Sequence, residues 1–195
     1  MTSKHVAGPT LDEFEAARAT VAKVAQSTPM ETSRYLSSVL GSEVFLKCEN
    51  LQRTGAFKIR GAMNKLATLG ESARRGVVAG SAGNHAGALA FAAREFGVPC
   101  EIYVPAGASL SKIAACRGYG ATVHEGGESL DVAVALAQAR ANETGMVFCH
   151  PYDDPVVVAG QATLGVELID DIPDLAQVIV PLGGGGLLSG VALTV

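Results

Sequence analysis

The amino-acid sequence predicts an α/β fold built from parallel βαβ units. Three observations carry this. Short apolar runs of strand length alternate with helix-length stretches between residues 76 and 149. Runs at 76–80 and 178–180 each lead into a small-residue loop that opens a helix, at 81–85 and 183–186. The composition, with 23 glycines, 48% hydrophobic and only 17% charged residues, suits close packing of helices on a sheet better than disorder. Strands alternating with helices of this length imply parallel, crossover-linked pairs.

Taken in order, residues 11–26 place Leu11, Phe14, Ala17, Val21, Val24 and Ala25 near one helical face. Thr10 can cap this helix, and Asp12, Glu13 and Glu15 suit the positive end of its dipole. Thr28-Pro29 stops it, because the residue before proline avoids helical geometry. Residues 33–40 read as a short helix closed by Gly41, and 43–48 as a strand. At 58–69, Ile59, Ala62, Met63 and Leu66 fall at helical spacing, with Gly70 to close the end. Strands at 76–80, 100–104, 121–124 and 146–149 then alternate with helices at 84–96, 110–118 and 129–144. His150-Pro151-Tyr152-Asp153-Asp154-Pro155 reads as a loop crossing between domains. A helix at 156–169, a strand at 176–180 and an apolar helix from 187 to 195 follow. That last helix lacks a cap and a polar tail, so the chain reads as the N-terminal portion of a longer protein.

The net charge of −4, with no Lys/Arg cluster, argues against nucleic acid or an anionic membrane as partner. Cys48, Cys100, Cys116 and Cys149 are far apart, with no C-x-x-C pair and no zinc-like spacing. They read as free thiols in a reducing cytoplasm, with no metal. Residues 1–9 lack the apolar run of a signal peptide, and no stretch approaches an uncharged membrane span.

Three stretches carry the chemistry. Gly183-Gly184-Gly185-Gly186 sits between a buried-type strand and a helix, where free backbone amides at a helix start can hold a phosphate without a cation. No Gly-Lys-Ser/Thr follows, and Ser189 stands where a dinucleotide fingerprint has its third glycine. A tight turn is the plainer reading, but it needs one or two glycines, not four. In Ser81-Ala82-Gly83-Asn84-His85, Ser81 or Asn84 could simply cap the next helix. The functional alternative is a grip on a carboxylate or ring hydroxyl at the carboxyl end of a parallel sheet. His85 reads as support for the loop rather than as an acid or base. Lys58 alone would be a solvated helix lysine. Its setting argues otherwise: Gly55 and Ala56 leave room, Phe57 offers a face for a flat ring, and a helix start makes an amine easier to deprotonate, as Schiff-base formation requires. Arg60 and Lys65 read as surface or salt-bridge residues.

These pieces, with KCENLQ at 47–52, TGAFKIRGA at 54–62, SAGNHA at 81–86, DDP at 153–155, AGQAT at 159–163 and PLGGGGLLSG at 181–190, closely resemble the fold-type II pyridoxal-phosphate enzymes. Within them the sequence is most similar to the threonine dehydratase (threonine ammonia-lyase) and serine dehydratase family. The resemblance runs from about residue 28 to 195. It implies a tryptophan-synthase-β-like fold with parallel sheets in two domains: 1–50 beginning the large domain, 51–149 the small one, and 150–195 continuing the large one, which is incomplete here. It implies pyridoxal 5'-phosphate as cofactor. Lys58 would carry the internal aldimine and later move protons, and Phe57 would flank the ring. Asn84 would meet the ring oxygen, and the amides of Gly183, Gly184, Gly185, Gly186 and Leu187 would bind the phosphate. Ser81, Ala82, Gly83, Asn84 and His85 would surround the substrate carboxylate. The implied reaction is dehydration and deamination of L-threonine, with L-serine as a second substrate, to ammonia and a 2-keto acid; from threonine that acid leads into isoleucine synthesis or threonine breakdown. A homo-oligomer with a small amino-acid substrate is implied as well. Ala56 stands where serine is commoner and Gly87 where glutamine is usual. Ala82 is the small residue of dehydratases, where racemases tend to carry serine. The alternatives are another fold-type II lyase or racemase, or an inactive fragment, since the serine or cysteine that meets the pyridine nitrogen normally lies beyond this length.

Overall fold

The computed structural model describes residues 8–195; the reading of residues 1–7 lies outside them. Helix α1, Leu11–Val21, starts on a capping box in which the Thr10 hydroxyl accepts from the Glu13 amide at 3.3 Å and the Glu13 carboxylate accepts from the Thr10 amide at 2.7 Å. It is shorter than the 11–26 spacing suggests. The side chain of buried Gln52 takes both the amide (2.9 Å) and the carbonyl (2.8 Å) of Gln26, which holds the backbone there out of helical geometry. Only Ala17 and Val21 of α1 are buried.

Strands β1, Met30–Thr32, and β2, Phe45–Lys47, pair antiparallel around helix α2, Arg34–Leu40. Ser33 caps α2 and Gly41 closes it at φ +65°. The sequence gives no sign of β1: a strand this short shows no alternation and exists only through its partner.

Helix α3, Lys58–Leu69, precedes strand β3, Val77–Gly80, and helix α4, Asn84–Phe96. Strand β4, Cys100–Val104, helix α5, Leu110–Gly118, strand β5, Thr122–Glu125, helix α6, Leu130–Thr144, and strand β6, Val147–Phe148, follow. The four strands form one parallel sheet in the order β5-β4-β3-β6. Alternation along β3 explains how both faces are covered. Val77 and Ala79 point into a core with Leu66 of α3, Leu89 of α4 and Ile113 of α5; Val78 points the other way, onto Ala137 of α6 and Met146. On that second face α6 lies so close that a Cβ on Gly80 would come within 2.5 Å of the Val134 Cα.

Helix α7, Pro155–Asp171, crosses α3 backbone to backbone: a Cβ on Gly160 would lie 2.6 Å from the Arg60 carbonyl oxygen and from the Gly61 Cα. At this crossing Arg60 is fully buried, which overturns its reading as a surface residue and keeps the reading as an ion pair. Its guanidinium donates to Glu49 (3.0 and 2.9 Å), Glu167 (2.6 and 3.0 Å) and the Thr163 hydroxyl. Burial opposes the charge, but the hydrogen bonds and charges of Glu49 and Glu167 outweigh it and hold Arg60 above its usual range. Lys47 joins the same network at 2.9 Å from Glu167 and 3.0 Å from Asp171. Lys65 pairs with Asp154 at 2.7 Å, as an ion-pair reading required.

Helix α8, Gly186–Ala192, packs on α7. Leu164, Leu168 and Val191 form a small core there, joined by Phe57, Val178, Val180 and Leu187. The strand expected at 176–180 is absent: no described strand lies beside it to take its hydrogen bonds, and Ile179 is 83% exposed. The second parallel sheet implied by the resemblance therefore has no counterpart among the described residues, where the other sheet is the β1–β2 pair. No cysteine is disulfide-bonded among the described residues, and Cys100, Cys116 and Cys149 are buried.

Candidate active site

Lys58 is the first residue of α3. Its Nζ donates to the Pro151 carbonyl at 2.6 Å and lies 5.3 Å from the centre of the Phe57 ring. Partial burial lowers its proton affinity below that of an ordinary lysine. The direction matches the sequence reading; the cause is burial, where the sequence pointed to the helix dipole. Phe57 in turn packs in the same apolar cluster as Leu187.

The loop from Ser81 follows β3 and opens α4. Neither Ser81 nor Asn84 caps that helix, so the plainer sequence reading fails. The Ser81 hydroxyl accepts from the Gly83 amide at 3.3 Å, and the Asn84 side-chain oxygen accepts from Lys112 Nζ at 2.6 Å. With that oxygen taken, the amide nitrogen of Asn84 is the end left to donate elsewhere. His85 is buried and its Nε2 faces the Cys149 carbonyl at 3.0 Å, so that nitrogen carries the hydrogen. Burial pushes its pKa down to about 4, with the charges of Lys58 and His150 adding to the effect and the Cys149 hydrogen bond opposing it. The imidazole is thus held neutral and anchored on the Cys149 carbonyl.

Gly185 stands at φ +88° at the start of α8, a left-handed conformation that favours glycine. A Cβ on Gly183 or Gly185 would meet nothing within 4 Å. Gly184 instead faces the Tyr152 ring, and a Cβ on Gly186 would lie 3.0 Å from Tyr152 backbone atoms. A cleft of about 310 Å³ opens between this loop, Tyr152 and Asp153.

The segment 150–154 ties these parts together. The His150 Nδ1 accepts from the amides of Tyr152 (3.3 Å) and Asp153 (2.8 Å), and the two rings meet edge-on at 4.6 Å. Pro151 holds Lys58, the Tyr152 ring lies where a Gly184 Cβ would be, and Asp154 caps α7 through the Val156 amide at 2.9 Å. Lys58 thus meets the glycine loop through Pro151 and Tyr152, and Phe57 and Leu187 pack against the same apolar cluster of Leu164, Leu168 and Val191. Asn84 meets Lys112. Ala82 and Gly83 lie half-buried between them in sequence, with no side-chain contact that ties them to the rest.

The model for pyridoxal-phosphate dependent enzymes matches residues 21–195. The chain belongs to this family. It is 50% identical over 187 residues to an L-threonine ammonia-lyase of Thermotoga maritima, covering 95% of this chain and 47% of that protein. It is 42% identical to the catabolic L-threonine dehydratase TdcB of Escherichia coli K12, covering 95% of this chain and 56% of that protein. Maize serine racemase superposes with a TM-score of 0.92 at 37% identity, covering 96% of this chain and 57% of that one. The chain spans about half the length of the curated relatives it matches.

The residues present fit pyridoxal phosphate. Helices α3, α4 and α8 start at Phe57, Gly83 and Gly185 without a side chain accepting from their first amides, which leaves backbone donors for anions. Lys58, at the first of these starts, is half-buried, and burial lowers its proton affinity. Sequence reasoning missed three contributors: the Pro151 carbonyl, Tyr152 and Lys112. A backbone carbonyl has no sequence signal. Tyr152 had one, as an aromatic residue inside a loop of prolines and aspartates. No helix among the described residues is long and apolar enough to cross a membrane.

Proposed function

We propose that this chain carries the lysine side of an ammonia-lyase site acting on L-threonine, and on L-serine as a second substrate. The observation that supports it most is the half-buried Lys58 amine, hydrogen-bonded to the Pro151 carbonyl, with three helices whose starts carry no side-chain cap. The names of the relatives, threonine ammonia-lyase and threonine dehydratase, point the same way. The net reaction is L-threonine to 2-oxobutanoate and ammonia, with one water lost and one regained. Both the biosynthetic and the catabolic direction of use remain consistent with that chemistry.

Pyridoxal phosphate, when bound, supplies an aldehyde for an amine to bond and an electron-withdrawing ring that stabilises negative charge at the substrate α-carbon. Lys58 would be the amine of this chain for that bond, and its Nζ would serve as the base for the α-proton. Burial lowers the proton affinity of this amine, which is the direction both tasks need. The amides of Gly183, Gly184, Gly185, Gly186 and Leu187 hold the phosphate, and Phe57 braces the ring. The side-chain N–H of Asn84 would donate to the ring oxygen, with Lys112 holding the amide oxygen. Ser81, Ala82, Gly83, Asn84 and His85 receive the substrate carboxylate. Residues 51–149 act as the small domain, with 1–50 and 150–195 belonging to the large one. The protein works as a cytoplasmic homo-oligomer.

Added pyridoxal phosphate should produce an absorbance band near the visible edge that Lys58→Ala abolishes. Keto-acid release should then be compared between L-threonine and L-serine. A band unchanged in Lys58→Ala would overturn the reading. A second reading, racemisation, draws on the likeness to maize serine racemase; formation of D-serine without keto acid would favour it over the lyase.

A further inference from the structure

We infer that Tyr152 is a positioning residue for cofactor binding, whose ring sets the glycine loop 183–186 in the conformation that receives the phosphate. This deepens the reading above and rests on that loop being the phosphate bed.

The inference starts from shape. A Cβ built on Gly184 would overlap the Tyr152 ring, the nearest atoms being its Cδ1, Cγ and Cε1. The ring therefore lies flush on the Gly184 backbone. A Cβ on Gly186 would lie 3.0 Å from the Tyr152 main chain, while Gly183 and Gly185 face open space. Of the four glycines, two are explained by contact with a single residue. The loop has little else to hold it: the segment before it has no strand partner, and Pro181, Leu182 and Gly183 are exposed. A run of glycines pays a large entropy cost to be ordered, so an aromatic wall that restricts it lowers the cost of binding.

Tyr152 is itself well fixed. His150 takes its amide and meets its ring edge-on at 4.6 Å. Pro151, one residue back, accepts from Lys58, and Asp154 anchors the far side as the cap of α7. The wall on which the glycine loop rests is thus built on the same short segment that holds the reactive amine. The hydroxyl of Tyr152 has no partner in this arrangement that the ring needs; the flat ring alone makes the contact.

The experiment compares two probes, pyridoxal phosphate and pyridoxal, which share the aldehyde and ring and differ by the phosphate. Dissociation constants are read from the absorbance band in wild type, Tyr152→Ala and Tyr152→Phe. Wild type should prefer pyridoxal phosphate. Tyr152→Ala should cut that preference at least about tenfold, a change of about 1.4 kcal/mol, while leaving pyridoxal binding nearly unchanged. Tyr152→Phe should keep the wild-type ratio. Gly184→Ala should lose the preference in wild type and lose far less when added to Tyr152→Ala, because the clash is then gone. Independently of any cofactor, amide hydrogen exchange at 183–187 should speed up in Tyr152→Ala and not in Tyr152→Phe. An unchanged ratio and unchanged exchange in Tyr152→Ala would overturn the inference. Absence of any band, or no preference for pyridoxal phosphate in wild type, would instead overturn the reading it rests on.

Discussion

The helices of this chain begin in two ways. At α1, α2, α6 and α7 a side chain of Thr10, Ser33, Ser129 or Asp154 accepts from the first turn. At α3, α4 and α8 the helix starts on Phe57, Gly83 or Gly185 and no side chain does so. The second group bears the stretches proposed to form the site. α5 also lacks such a bond at Ser109, and its Lys112 reaches the Asn84 side chain. Capped starts spend their amide donors on stability. Bare starts leave theirs open to a ligand, at a cost of only a few tenths of a kcal/mol where the cap is glycine. The contrast separates the part of the sequence that makes the fold from the part that makes the site.

The largest stability effect should come from the buried ion network that joins α3 to α7. Arg60→Met leaves Glu49 and Glu167 facing each other without their shared cation, and should cost roughly 3–5 kcal/mol in urea unfolding. A cost near zero would mean that α3 is held by packing at Gly61 and Gly160 alone. A smaller effect is expected from pH. His85 is depressed to about 4 when folded, against 6.5 unfolded, so the unfolded chain takes up its proton first. The stability present above pH 6.5 should drain away between pH 6.5 and about 4, on the order of 3 kcal/mol in all. Denaturant melts at pH 7.5 and 5 should show a loss in wild type that shrinks in His85→Gln.

Next comes Gly160→Ala. Its new methyl group would press on the Arg60 carbonyl and the Gly61 Cα, costing about 1–3 kcal/mol in unfolding experiments. The smallest effect sharpens the comparison most. Gly83→Asp has open space for its side chain and supplies the missing cap of α4. It should raise the stability of the chain by only a few tenths of a kcal/mol, since glycine is a tolerable cap. It should nonetheless weaken binding of a carboxylate or cofactor, because the amides it captures are the ones the site uses. Stabilisation with binding intact would break the link between bare helix starts and function.

Much of the fold was legible because it rests on local pattern. Strand β4 falls where five alternating residues, Cys100 to Val104, said it would, and Gly41 and Gly97 close their helices at φ +65°. What was not legible depends on partners far away in sequence. Residues 176–180 have the composition of a strand, but a strand needs a neighbour to pair with. Arg60 looked like any helix arginine because its carboxylates come from residues 49 and 167. The candidate site divides in the same way. Lys58 and the glycine run stood out through unusual neighbours, whereas Pro151 contributes a main-chain oxygen, which every residue has, and Tyr152 acts through a contact visible only in three dimensions.

The most direct measurement is chemical. The chain is incubated with pyridoxal phosphate, reduced with borohydride and digested, and the labelled peptide is identified by mass spectrometry. A single pyridoxyl group on Lys58 is the expected result, because burial lowers the proton affinity of this amine, which sits beside Phe57 and Pro151. A label spread over exposed lysines such as Lys23, or absent from Lys58, would contradict it.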